Sequence, residues 1–204
     1  AESSSVISNV HIKNATIAAY GNNGAYFGYG SIAGRISSNT RIEKCSSTNL
    51  NIIATKGDEA GRVGGIVGQI GYNSTIEDCY VTGNISGSLE VGGIVGGMID
   101  GLYQPNTIKH CITKVNITGT SGVGGIAGNP NGSGRMKLVQ NISLSDGNKG
   151  FKVHGNAISL DPDTFNYEMT ESKLSANAPN SNGLIKEISK DEFNGEFCKE
   201  QAGF

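Results

Sequence analysis

Short runs of Val, Ile and Thr follow one another along most of this chain, each bounded by Gly, Asn or Ser. β-Branched residues in runs of that length predict strands and argue against helices. A glycine-rich apolar phrase returns four times: SIAG at Ser31–Gly34, VGGIVG at Val63–Gly68 and again at Val91–Gly96, and VGGIAG at Val123–Gly128. Gly64 to Gly92 is 28 residues and Gly92 to Gly124 is 32, with a looser 34 from Ala33 to Val67. Alternation reads VGGIVG as one strand, with Val63, Gly65 and Val67 on one face and Gly64, Ile66 and Gly68 on the other. So glycine-rich a strand is weak alone, and it becomes reasonable where another backbone approaches closely.

A second phrase follows each glycine phrase after a loop: TRIEKC at Thr40–Cys45, STIEDC at Ser74–Cys79, NTIKHC at Asn106–Cys111 and a degenerate KLVQN at Lys137–Asn141. NISG at Asn84–Gly87 and NITG at Asn116–Gly119 are read as the turns that close the unit, giving two strands and two turns per repeat. Units this small cannot bury an apolar face alone and must stack on their neighbours. The predicted fold is all-β, a parallel β-helix or β-solenoid of about four to five coils with a C-terminal cap. Matching residues of successive coils would lie about 4.8 Å apart. This places Ile42, Ile76, Ile108 and Leu138 in one ladder and Cys45, Cys79, Cys111 and Asn141 in another, with a corner between Ile76 and Cys79.

Residues 1–158 are read as the repeat array and 159–204 as a capping segment, because Pro162, Pro179 and the charged KEISKDEF stretch replace the glycine phrases there. A short helix within 190–200 is expected, with Ser189 as N-cap and Glu192 completing a capping box. Glycine, 31 of 204 residues, is about twice the usual share. Sixteen basic and eighteen acidic residues are interleaved for a net charge of −2, so no basic field exists to attract nucleic acid. No run reaches the 18 apolar residues a membrane helix needs. The chain opens at AESSSV without Met and within a repeat-like pattern, and is expected to be a mature or trimmed piece of a longer protein.

Little of the sequence looks like chemistry. The cysteines lack the close pairing of a metal site and read as small buried hydrophobes, with disulfides between coils as the alternative. His11, His110 and His154 are isolated, and no HExxH or GxSxG phrase occurs. His110 takes a corner position filled elsewhere by Lys44 and Asp78. Glu43 and Glu77 stack, as a glycosidase groove would need, but Lys109 follows in the next coil, which reads as a salt-bridge ladder. The sequons at Asn84, Asn116 and Asn141 read as turn asparagines. No catalytic residue, metal ligand or cofactor site is assigned, and the chain is expected not to be an enzyme.

The phrases, their order, their spacing and the recurring Cys slot between about Gly30 and Gly155 resemble the GLUG motif, a repeat of bacterial surface adhesins and of the non-catalytic region of IgA-cleaving metallopeptidases. The tail, with Phe165, Asn166, Tyr167, Gly183, Leu184 and a final Gly203 and Phe204, resembles the ending of secreted proteins of gut Bacteroidetes. The resemblance implies a β-helical extracellular or cell-surface module, used for adhesion or for protein or glycan interaction, with neighbouring domains of a larger surface protein as partners. A host glycan or matrix protein would be the ligand. A structural stalk or spacer and a polysaccharide-active β-helix enzyme are the alternatives. The loops after the glycine phrases offer the candidate ligand-binding residues: Tyr72 and Tyr103 in matching loops, with Tyr26 and Tyr29 before the first phrase, since exposed rings stack on sugars or dock on proteins. The same rings would equally pack the loops against the rod.

Overall fold

The computed structural model describes residues 4–19, 27–54, 61–99, 105–129, 136–147, 159–160, 166–169, 185–189 and 191–193. They form a β-solenoid with four complete coils. The first coil holds β1 (Ser5–Ser8), β2 (His11–Lys13), β3 (Thr16–Ala18), β4 (Gly28–Tyr29) and β5 (Ala33–Ile36). The second holds β6 (Thr40–Glu43), β7 (Ser46–Ala54), β8 (Arg62–Gly64) and β9 (Val67–Ile70). The third holds β10 (Thr75–Glu77), β11 (Tyr80–Gly87), β12 (Leu89–Gly92) and β13 (Val95–Met98). The fourth holds β14 (Asn106–Lys109), β15 (Ile112–Thr118), β16 (Ser121–Gly124) and β17 (Ala127–Asn129).

Corresponding strands of successive coils pair in parallel and build four sheets. Sheet A runs β1-β6-β10-β14 and sheet B runs β2-β7-β11-β15, with β3 also pairing β7. Sheets C and D are four-stranded, ordered β16-β12-β8-β4 and β17-β13-β9-β5. Beyond the fourth coil, β18 (Met136–Val139) and β21 (Ser159–Leu160) extend sheet A. Sheet B is extended by β19 (Ile142–Ser143), β22 (Asn166–Met169) and β23 (Ile185–Ile188), while β20 (Asp146–Gly147) pairs β15. The segment from Ser159 thus contributes strands to both sheets.

The repeat has four strands, where two were expected, and the glycine phrase is the reason. VGGIVG is two strands, β8 and β9, joined by a bend at Gly65 and Ile66. Val63, Ile66 and Val67 are all fully buried, so the alternating face assignment does not hold. The close backbone approach does occur. A methyl at Gly64 would stand 2.7 Å from both the Gly96 nitrogen and the Ile94 oxygen of the next coil, and one at Gly96 would stand 2.7 Å from the Gly68 oxygen. Sheets C and D therefore pack backbone against backbone, which only glycine permits.

The core is a set of ladders. Ile42, Ile76, Ile108 and Leu138 are register partners and fully buried. Ile52, Ile85 and Ile117 form a second row of the same kind. Each coil turns from sheet A to sheet B at one left-handed residue: Asn9, Lys44, Asp78, His110 or Gln140. Asn and Asp tolerate that conformation best, and from the second coil on the residue that follows is buried: Cys45, Cys79, Cys111 and Asn141. NISG and NITG are not turns. Asn84 and Asn116 lie within β11 and β15 and point to solvent, while Ile85 and Ile117 between them and the hydroxyl residues are buried. Asn141, the third sequon asparagine, is fully buried.

Candidate functional site

The outer face of sheet B is where this fold presents side chains in regular array. On β11 the alternation sends Val81 and Ile85 inward and Tyr80, Thr82, Asn84 and Ser86 outward; on β15 it sends Ile112, Lys114, Asn116 and Thr118 outward. Parallel register aligns these into rows: Thr16, Asn51, Asn84, Asn116 and Asp146 in one, and Ala18, Ile53, Ser86 and Thr118 beside it. Thr118 donates to Ser86 at 2.9 Å. A third row carries His11, Ser46, Tyr80, Ile112, Ile142 and Tyr167. His11 Nδ1 and Ser46 Oγ are hydrogen-bonded at 2.9 Å.

That third row passes from open to covered. Ile142 and Tyr167 belong to a second apolar cluster with Leu144 and Ile188, against which Ile112 and Phe193 pack. Tyr80, one step before Ile112, is 38% exposed, an aromatic ring on a face whose other large exposed apolar side chain is Ile53 at 40%. Partial burial raises its phenol above the ordinary tyrosine range. A bulge helps to shape this face. β7 carries one more residue than β11 here, with Asn49 and Gly83 at positive φ, and the Asn49 N–H donates to Thr82 Oγ1 at 3.0 Å.

The loop tyrosines are placed differently. Tyr29 pairs with Val63 at the edge of sheet C and packs against the main core. Tyr72 is half-buried, and its carbonyl accepts from the Asn39 N–H and the Ser74 hydroxyl. Tyr26 and Tyr103 lie outside the described residues. Asn84 and Asn116, which read as turn asparagines in the sequence, are outward strand positions beside Tyr80; the alternation of Tyr80, Thr82, Asn84 and Ser86 against Val81 and Ile85 is the signal that marks them.

On sheet A the charges interlock. Glu77 is nearly buried, held by Lys109 at 2.6 Å on one oxygen and by Arg41 on the other, while Arg41 also meets Glu43 at 2.6 Å. Burial alone would raise the Glu77 carboxyl, but the bond and charge of Lys109 and the charge of Arg41 hold it below its ordinary value. At the corner, His110 lies 3.0 Å from Gln140 and 3.4 Å from Asp78.

Cys45, Cys79 and Cys111 are buried free thiols. Each sulfur faces the carbonyl two residues before it, as in the 3.2 Å contact of Cys79 with Glu77. Asn141 takes the same slot in the next coil: it accepts from the Cys111 N–H at 3.0 Å and donates to the Ile108 carbonyl at 2.9 Å, and Asn166 repeats the pattern toward Asn141 and Leu138. Burial pushes the Cys111 thiol well up. Among the described residues, no group of three or more His, Cys, Asp or Glu side chains is placed to hold a metal ion, and no helix is long and apolar enough to cross a membrane. The Ser189–Glu192 capping box forms, with Ser189 N–H donating to Glu192 at 2.8 Å and Glu192 N–H to Ser189 Oγ at 3.3 Å; of the helix expected within 190–200, residues 191 and 192 form a turn, and 190 and 194–200 lie outside the described residues.

No curated protein matches the chain. The crystal structure of an immunoglobulin A1 protease-like protein from Bacteroides ovatus is similar at a TM-score of 0.49 and 17% identity, over 82% of this chain and 60% of that one. This chain thus spans less than two thirds of that protein's crystallised length. Residues 59–86, from the second glycine phrase through most of β11, match the model of the GLUG motif. The chain thus carries one matched GLUG motif within a β-solenoid, with glycine phrases stacked in register on the coils before and after that stretch.

Proposed function

We propose that this chain is a non-catalytic surface module that binds a glycan or a protein through the outer face of sheet B. The observation that carries the reading is the exposed Tyr80 ring set among the outward rows of Asn84, Asn116, Thr82 and Lys114. A ring with amide and hydroxyl neighbours on a rigid sheet suits stacking on a sugar or docking of a protein segment. The GLUG motif supports a place outside the cell or on its surface, as part of a larger protein. A glycosidase groove on sheet A is disfavoured because both oxygens of Glu77 are taken by cations.

The test is a panel of host and bacterial glycans and matrix proteins, read by surface plasmon resonance, with product analysis on the same polysaccharides. Saturable binding without cleavage is expected. Cleavage of any polysaccharide would overturn the reading. A spacer role is the second reading, favoured by Tyr29, whose ring packs into the rod; binding to nothing in the panel would move the account there.

A further inference from the structure

The charges on the outer face of sheet B narrow its ligand. The inner strands β7, β11 and β15 together contain a single residue charged at neutral pH, Lys114, and no carboxylate. Sheet A is the opposite case, because its outward cations Arg41 and Lys109 are taken up by Glu43 and Glu77. Lys114 is exposed, and among the described residues no hydrogen bond or ion pair engages its side chain. The side-chain amides of Asn84 and Asn116, also exposed, are equally free among those residues. A carboxylate joins the face at Asp146, the register partner of Asn116, where it accepts from the Gly147 N–H at 2.8 Å. The chain carries a net charge of −2, yet the open part of this face is neutral but for one unpaired cation.

We propose that the ligand of this face is an acidic glycan, a chain of sugars bearing carboxylate or sulfate groups, with one sugar ring on Tyr80 and an anionic group on Lys114. The inference rests on the reading of this face as the binding surface and names the class of ligand. Tyr80 pairs with Ile112, so Lys114 stands one strand across and two residues along, about 8 Å away between Cα positions. A disaccharide covers that span, with the apolar C–H face of one sugar on the phenol ring and the charge of the next at the ammonium group. Lys114 is the register partner of Thr82, and Asn116 that of Asn84. Sugar hydroxyls therefore fall beside paired amides, each of which both donates and accepts. A neutral glycan would use the ring and the amides and leave Lys114 idle. An acidic one uses all of them and meets no like charge on β7, β11 or β15. Because the strands already hold these groups in place, little ordering is left to oppose binding.

The probes are oligogalacturonides, the same oligomers as methyl esters, and dextran sulfate, each titrated into the full chain by isothermal calorimetry. Saturable binding of an acidic probe is expected, with the uronate and sulfate arms showing which anion is preferred. The methyl esters should bind more weakly, and the acidic probe should lose affinity as salt is raised, since an exposed ion pair is screened. Lys114→Gln should weaken the acidic probe about fivefold, at the upper end for an exposed ion pair, and Lys114→Glu should weaken it further. Melting curves establish that both variants keep the fold. Equal binding of acids and esters, unchanged affinity in Lys114→Gln, or no binding of either acidic probe would overturn the proposal. Tyr80→Ala scores the broader reading separately. A neutral glycan or a protein whose binding falls in Tyr80→Ala but stands in Lys114→Gln would keep sheet B as the binding face and remove the acidic ligand.

Discussion

Replacing Gly64 by Ala asks whether the glycine phrase exists for backbone packing. In an ordinary strand that substitution stabilises by about 0.4–1 kcal/mol, because alanine restricts the unfolded chain. At Gly64 the new methyl meets backbone: the Gly96 nitrogen and the Ile94 oxygen at 2.7 Å, with the Val67 oxygen nearer still. Backbone of a paired neighbouring coil cannot rotate away, so the overpacking cost of about 1–3 kcal/mol applies. The net expectation is a loss of about 1–2 kcal/mol, or about 2–8 °C in Tm for a chain of this size. Gly119→Ala is the contrast, since its methyl would press mainly on the Val123 and Val91 side chains, at 2.6 and 3.0 Å. Those methyl groups can give by small rotations, and the loss should be smaller. Far-UV circular dichroism melts of the three proteins decide the matter. A Gly64→Ala protein as stable as the wild type, or no worse than Gly119→Ala, would refute the reasoning.

Three further outcomes follow from the interior. Asn141→Ala strands the Cys111 N–H and the Ile108 carbonyl in a fully buried slot, and should cost at least about 1–3 kcal/mol in urea denaturation. The Glu77 carboxyl is held below its ordinary value, so its contribution to stability is present above the ordinary carboxylate range and is lost as pH falls through the lower folded pKa; Glu77→Gln should flatten the acid limb of a stability-versus-pH curve. Cys45, Cys79 and Cys111 are at most 1% exposed, and site-resolved mass spectrometry should find them alkylated by iodoacetamide only in denaturant.

Much of this fold was legible because the repeat imposes register. Once TRIEKC, STIEDC and NTIKHC are aligned, the ladder of Ile42, Ile76 and Ile108 follows from the parallel strand spacing alone. The two misreadings have local causes. VGGIVG carries six small or apolar residues, and alternation cannot see a bend at Gly65 and Ile66 when every position is buried. NISG contains the residues of a turn, yet Asn84 is a solvent-facing strand position whose neighbours Ile85 and Val81 were already in phase. The candidate face was hidden by that second error, since Tyr80 and Asn84 gain meaning only when β11 is one unbroken strand. The sequence places Asn141 in the ladder of Cys45, Cys79 and Cys111, but its hydrogen bonds to Cys111 and Ile108 depend on the coil before it, which no local pattern reports.

The account's central claim is that recognition belongs to the outer face of sheet B and not to the loops. The direct measurement is the affinity, for any ligand the panel yields, of a Tyr80→Ala, Asn84→Ala double variant beside a Tyr72→Ala variant, both verified as folded by their melting curves. The account predicts that the face variant loses binding while the loop variant keeps it. Full binding by the face variant, with loss in Tyr72→Ala, would contradict it.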